Sequence, residues 1–210
     1  MIDLYTWGTP NGRKVSIALE EMGLAYNAHP VNIMKDEQFA PDFLKISPNN
    51  KIPAIVDHDN GQTVFETGAI LLYLAEKTGQ FMPEDLAGRV VVWEWLNWQM
   101  GGFGPMLGQA HHFLQFNPGK APYAEERFGA EAARLYGVLD RRLGQTAYVA
   151  GDTLTIADFA VWPWAARYEW QRIDMSAFPD VKRWFTELAA RDGFQKGFNV
   201  PPTDQKIPQP

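Results

Sequence analysis

Residues 47–70 read SPNNKIPAIVDHDNGQTVFETGAI. Two short apolar runs, AIVD and TVF, flank Asp59-Asn60-Gly61, the turn chemistry of a β-hairpin. From Glu66 the apolar residues switch to helical spacing, ETGAILLYLAEKTG, and Gly79 supplies the left-handed stop. Just before the first run stands Ile52-Pro53, a bond of the type that can be cis. The segment therefore reads as a loop, two antiparallel strands and a helix.

Upstream, residues 2–5 form a strand candidate. GRKVSIALEEMG follows, with Val15, Ile17, Ala18, Leu19 and Met22 at near-helical spacing before Gly23. Residues 25–33 read as a second strand, which Pro30 assigns to an edge or a bulge. APDFLKISP is at most a short helix. A strand, helix, strand unit has the length of a parallel crossover. The first 79 residues thus predict a small mixed sheet with helices on its faces.

Residues 80–86 are the linker, where GQFMPEDLAG places Gly and Pro with acids between two periodic segments. Beyond it, residues 87–210 show no strand pattern of comparable strength and read as an all-helical domain with an irregular C-terminal tail. Helices are expected at 86–100, 122–143 and 178–191. GGFGP (101–105) is expected to bend or break the first of them. In LTIADFA, Thr155 and Asp158 have the spacing of a capping box, flanked by the hydrophobic staple Leu154 and Phe159. Pro163 is expected to kink that helix.

Composition narrows the chemistry. The chain has 210 residues, 46% hydrophobic, a net charge of −6 and no cysteine. The acidic balance argues against nonspecific nucleic-acid binding. No apolar run is long enough for a membrane span, and MIDLYTW has neither the basic start nor the apolar core of a signal peptide. Without cysteine there is no disulfide, no thiolate metal site and no thiol nucleophile. GxxxxGK[ST], HExxH and GxSxG are missing. His111 and His112 are adjacent, about 100° apart on a helix, and make a poor metal pair. No metal is expected.

Three features point to a ligand instead. A cis Pro53 would turn the amide and carbonyl of Ile52 outward, where an extended peptide can pair as one more strand. Glu66 and Thr67 sit where a strand ends and a helix begins: helix amides and the Thr67 hydroxyl suit a carboxylate, and Glu66 an ammonium. In YTWGTPNGRK (5–14), Thr9 and Asn11 offer donors to an anion. Each feature alone has a plainer reading, an ordinary trans turn for Ile52-Pro53 and simple helix caps for the other two. Together they describe a peptide-like ligand with an anion in its middle, such as a thiolate.

These motifs resemble the cytosolic glutathione transferases over the full length: a thioredoxin-like α/β domain with a mixed four-stranded sheet, then an all-α domain. TPNGRK, ISPNNKIPAIVD, FETGAILLYLAEKTG and GGFGPMLGQAHHF are similar to the bacterial nu class, whose members often act as glutathione-dependent disulfide reductases. The resemblance implies glutathione as co-substrate. Ile52, beside cis Pro53, would pair with its cysteinyl backbone, Glu66 and Thr67 would bind the γ-glutamyl end, and Gln38 and Lys51 the glycine end. Thr9 and Asn11 would face the sulfur as the catalytic pair, and Arg127 would reach the bound peptide. Trp7 and Gly8 depart from the family pattern; Trp7 and Phe113 are candidates for the second-substrate pocket. The resemblance implies a homodimer, and the absence of cysteine fits a cytoplasmic protein. A bound glutathione thiolate attacking a disulfide is the leading reading. Attack on an electrophilic carbon and a non-catalytic binding role are its rivals.

Overall fold

The computed structural model describes residues 1–210. The chain forms two compact units, Met1–Gln80 with Ala190–Ile207, and Phe81–Ala189 with Pro208–Pro210. The last residues of the expected helical domain, 87–210, therefore do not all stay with it: Ala190–Ile207 pack with the first unit.

In the first unit β1 (Ile2–Thr6) leads into α1 (Pro10–Glu21) and β2 (Tyr26–Pro30). After α2 (Pro41–Ile46) come β3 (Ala54–Asp57), β4 (Gln62–Phe65) and α3 (Thr67–Thr78). The four-stranded sheet has the order β2-β1-β3-β4. β1 and β2 run parallel because a helix carries the chain back between them, whereas β3 lies antiparallel to both β1 and β4. β2 is an edge strand, which is why Pro30 costs no ladder bond at its end.

The two faces of the sheet bury different sets. Leu4 opposes Ile55, both fully buried. Tyr5 opposes Ala54 on the other face, where Phe43 and Ile46 of α2 pack with them. In the hairpin, Gly61 adopts φ 73° and its N–H donates to Asp57 O at 2.8 Å. The buried Asp57 carboxylate accepts from Tyr73 Oη (2.6 Å) and pairs with Lys77 Nζ (2.7 Å), tying the hairpin to α3. Gly79 (φ 66°) closes α3. The unit is completed by α9 (Asp192–Phe198), which lies against α1.

The second unit is helical. α4 (Leu86–Trp98) does not break at the glycines. It continues through a π-helical segment, Gln99–Phe103, into α5 (Gly104–Ala110) and a second π-helical segment, His111–Phe116. The widened turn takes up Pro105, and Gly104 is closely packed: an added Cβ there would stand 2.6 Å from Gln99 Nε2 and 3.3 Å from Trp164 Nε1. α6 (Pro122–Leu143), α7 (Ile156–Ala165) and α8 (Pro179–Ala189) complete the unit. The capping box is present, and Pro163 stands inside α7.

Asp158 does more than cap. One carboxylate oxygen accepts from Thr155 N (3.0 Å); the other accepts from Val149 N and Trp184 Nε1, both at 2.9 Å. Asp158 is fully buried. Asp158→Ala leaves four buried donors, the Thr155 hydroxyl among them, without this acceptor, so it should destabilise the protein by about 3–5 kcal/mol in urea unfolding, several times the ~1 kcal/mol of a cap alone.

Candidate active site

A cavity of about 280 Å³ in the first unit gathers Asn11, Lys51, Ile52, Pro53, Glu66 and Thr67. These come from three separate stretches of chain, the start of α1, the loop before β3, and the β4–α3 junction.

Thr9 is the N-cap of α1, and its hydroxyl oxygen accepts from Gly12 N at 3.1 Å. Thr9 stands beside the cavity and not on its wall. Gly12 is required for this turn: an added Cβ would run into Trp7 O and Thr6 Oγ1. Trp7 is half-buried, and its carbonyl accepts from Thr9 N at 2.7 Å. Asn11, the second residue of α1, lines the cavity.

The loop before β3 is held from within. Ser47 Oγ donates to Lys51 O (2.8 Å), Asn50 N donates to Ser47 O (2.9 Å), and Asn50 takes the left-handed φ of 49°. The Ile52–Pro53 peptide is cis. β3 begins only at Ala54, so the backbone amide and carbonyl of Ile52 lie outside the sheet ladder and have no backbone partner.

Glu66 is the N-cap of α3, yet its side chain makes no capping bond and it has φ 70°, ψ 120°. A non-glycine residue in that region stores about 1–3 kcal/mol of strain. Thr67 behind it is buried, at 7% exposure, at the first helical position. Sequence reasoning missed the residue beneath: Lys14, 2% exposed, donates from Nζ to Thr67 Oγ1 at 3.3 Å. Burial holds the Lys14 ammonium well below the ordinary lysine range, opposed by the nearby Glu66 charge. Its signal was present, since Lys14 is three residues after Asn11 and so on the same face of α1.

Other expected residues lie elsewhere. Gln38 sits in a 3₁₀ turn, Glu37–Phe39, bonded to Asp36 Oδ1 at 3.4 Å, and does not line the cavity. Arg127 and Phe113 belong to the second unit. Arg127 there lines a cavity of about 560 Å³ with Tyr123, Phe128 and Arg134, and the Phe113 ring stacks on Phe128 at 5.4 Å. No His, Asp and Glu side chains are grouped to hold a metal ion, and no helix is long and apolar enough to cross a membrane.

The first-unit cavity thus offers an exposed carboxylate, helix amides and an open peptide edge, with the buried Lys14 bonded behind Thr67. The Ser47 hydroxyl is engaged with Lys51 O. The arrangement can bind a zwitterionic, peptide-like molecule whose own atoms react.

Residues 1–76 match the glutathione S-transferase N-terminal domain and residues 103–192 its C-terminal domain. The chain is 50% identical over 196 residues to the disulfide-bond oxidoreductase YfcG of Escherichia coli (strain K12), covering 91% of each protein. A glutathione transferase from Burkholderia graminis, solved with two glutathione molecules bound per subunit, superposes with a TM-score of 0.89 at 42% identity, covering 95% of this chain and 88% of that one. One from Pseudomonas putida, solved with one glutathione disulfide per subunit, gives 0.90 at 42% identity, covering 95% and 91%.

If Glu66 is held in its strained backbone for the sake of its side chain, glycine should fit better there. Glu66→Gly should leave the unfolding midpoint unchanged or raise it, by up to about 1 kcal/mol, whereas Thr67→Gly at an ordinary helical position should lower it by at least that amount.

Proposed function

The chain belongs to the glutathione S-transferase family, and from that premise we propose that it is a glutathione-dependent disulfide-bond reductase. The observation that carries the reading is the first-unit cavity: it joins a free peptide edge at Ile52 to a bipolar end at Glu66 and Thr67, and the chain has no cysteine of its own.

In this reading the cysteinyl backbone of glutathione pairs with Ile52 beside Pro53. The γ-glutamyl carboxylate meets Thr67 and the amides of α3, with Lys14 behind them, and its ammonium meets Glu66. Lys51 serves the glycine end. Thr9 and Asn11 donate to the sulfur and lower its pKa from the ~8.5 of a free thiol.

The thiolate attacks one sulfur of the substrate disulfide. Its S–S bond breaks, the departing sulfur takes up a proton, and a mixed disulfide with glutathione remains. A second glutathione thiolate then attacks the glutathione sulfur of that mixed disulfide. The second substrate thiol leaves, protonated, and glutathione disulfide is the other product. The disulfide-bond oxidoreductase relative and the neighbour holding glutathione disulfide support this direction. The motifs TPNGRK and SPNNKIPAI favour the nu class within the family, and thiol chemistry without protein cysteines suits a reducing cytoplasm.

With hydroxyethyl disulfide and glutathione, the protein should accelerate reduction well above glutathione alone. Thr9→Ala and Asn11→Ala should each lower kcat about tenfold or more, with glutathione affinity changed less than about threefold. No acceleration sinks the reading: chlorodinitrobenzene turnover without disulfide turnover would mark a conjugating enzyme, and tight binding with neither a non-catalytic protein.

We also propose a homodimer. On α4, Leu86 is 68% and Val90 39% exposed, and with the half-buried Trp93 they form one apolar stripe at helical spacing. Sedimentation should show about twice 23.7 kDa; a monomer at micromolar concentration would contradict it.

A further inference from the structure

The C-terminal segment that joins the first unit follows α1 along its whole length. At the far end of the helix, Arg191 pairs with Glu21 at 2.5 Å. Midway, Ser16 Oγ donates to Gly197 O at 2.6 Å, and Gly197 lies so close that an added Cβ would stand 2.5 Å from Ile17 Cα. At the start of the helix, the fully buried Arg13 donates from Nε to Phe198 O (3.0 Å) and from Nη2 to Gln205 Oε1 (2.7 Å). Its guanidinium lies 3.5 Å over the Phe198 ring. Beyond that, the Thr203 methyl reaches Gly8, where an added Cβ would stand 3.2 Å away.

Arg13 is bonded in both directions. Its side chain holds the segment, and its backbone N–H donates to Thr9 O at 3.1 Å. We propose that residues 191–205 are a strap that fixes the Trp7–Asn11 turn, and that Arg13 is the positioning residue linking the strap to the Thr9 and Asn11 donors. The proposal rests on the reading of Thr9 and Asn11 as donors to the glutathione sulfur.

The physical argument concerns preorganisation. The first turn of a helix lacks intrahelical partners for its N–H groups and is the part that frays. Donors stabilise a developing or resting anion only while they are held on it. A buried guanidinium pinned at two atoms and stacked on a ring cannot shift without losing all three contacts. Ile52, Glu66 and Thr67 are held by other elements, so loosening the strap should act on the sulfur end and spare the glutathione backbone.

The test titrates the thiol of glutathione bound to the full-length protein by its thiolate absorbance, beside glutathione affinity, kcat and thermal unfolding. Gln205→Ala removes one partner of Arg13 from the outside, Arg13→Lys keeps the charge and removes the fork, and Arg191→Ala cuts the strap at the end far from the turn. The expected result for Gln205→Ala and Arg13→Lys is a bound-thiol pKa higher by about one unit, a roughly tenfold lower kcat near neutral pH, and affinity within about threefold. Arg191→Ala should lower the unfolding temperature and leave the bound-thiol pKa at the wild-type value. Should Arg13→Lys fail to fold, Gln205→Ala decides. A Gln205→Ala protein that is less stable yet titrates as wild type overturns the strap alone. A wild-type protein that leaves the thiol of bound glutathione as acidic as in buffer overturns the functional reading, and this proposal with it.

Discussion

Two neighbouring cations in the first turn of α1, Arg13 and Lys14, are both shut off from solvent, at 0% and 2% exposure. Uncompensated burial of one such charge costs several kcal/mol. A helix turns 100° per residue, so the two point to different sides and need partners from different parts of the chain. Arg13 finds the carbonyl and ring of Phe198 and the Gln205 amide oxygen. Lys14 finds the Thr67 hydroxyl. The C-terminal segment and the start of α3 must therefore both arrive at the first turn of α1. That convergence puts Asn11 and the β4–α3 junction on one cavity.

The sequence carried the local half of this plainly. The hairpin at Asp59-Asn60-Gly61, the Gly23 and Gly79 stops and the Thr155–Asp158 box are set by residues a few positions apart, and each stands where its chemistry predicted. What it hid was long-range. Arg13 and Ser16 look like the wet face of an amphipathic helix, because nothing near them shows that another helix covers it. That helix, α9, is seven residues long and contains two glycines. Its signal is only Phe194 and Phe198, four apart and both buried. The same ambiguity governs GGFGP: small residues break a helix in isolation but permit close approach in a packed one, and at Gly104 the Gln99 side chain and Trp164 both close in.

The candidate site divides along the same line. Asn11, Ile52, Glu66 and Thr67 were legible because each sits at a junction of elements whose ends expose backbone groups. Lys14 could be placed on the Asn11 face of α1 from its spacing alone, but its role lies in what it touches across the unit. Gln38 was placed by resemblance alone, and its 3₁₀ turn leaves it off the cavity wall. Ser47 gives the loop before β3 its internal support, a role that depends on the carbonyl four residues on.

Glu66 joins fold and chemistry most directly. Its positive φ would be relieved by glycine, yet the chain keeps a carboxylate there, and the hairpin that enforces the turn is clamped to α3 through Asp57, Tyr73 and Lys77. The clamp supplies the rigidity that lets the strain persist. Its result is an anion at the cavity rim and a cation, Lys14, beneath the adjoining helix start. A head group with both an ammonium and a carboxylate finds a favourable partner at both poles, whereas a simple dicarboxylate in the same place meets the Glu66 carboxylate with like charge. Recognition of an α-amino acid end thus follows from where two oppositely charged side chains are forced to lie, one by a strained backbone and the other by the packing of α1.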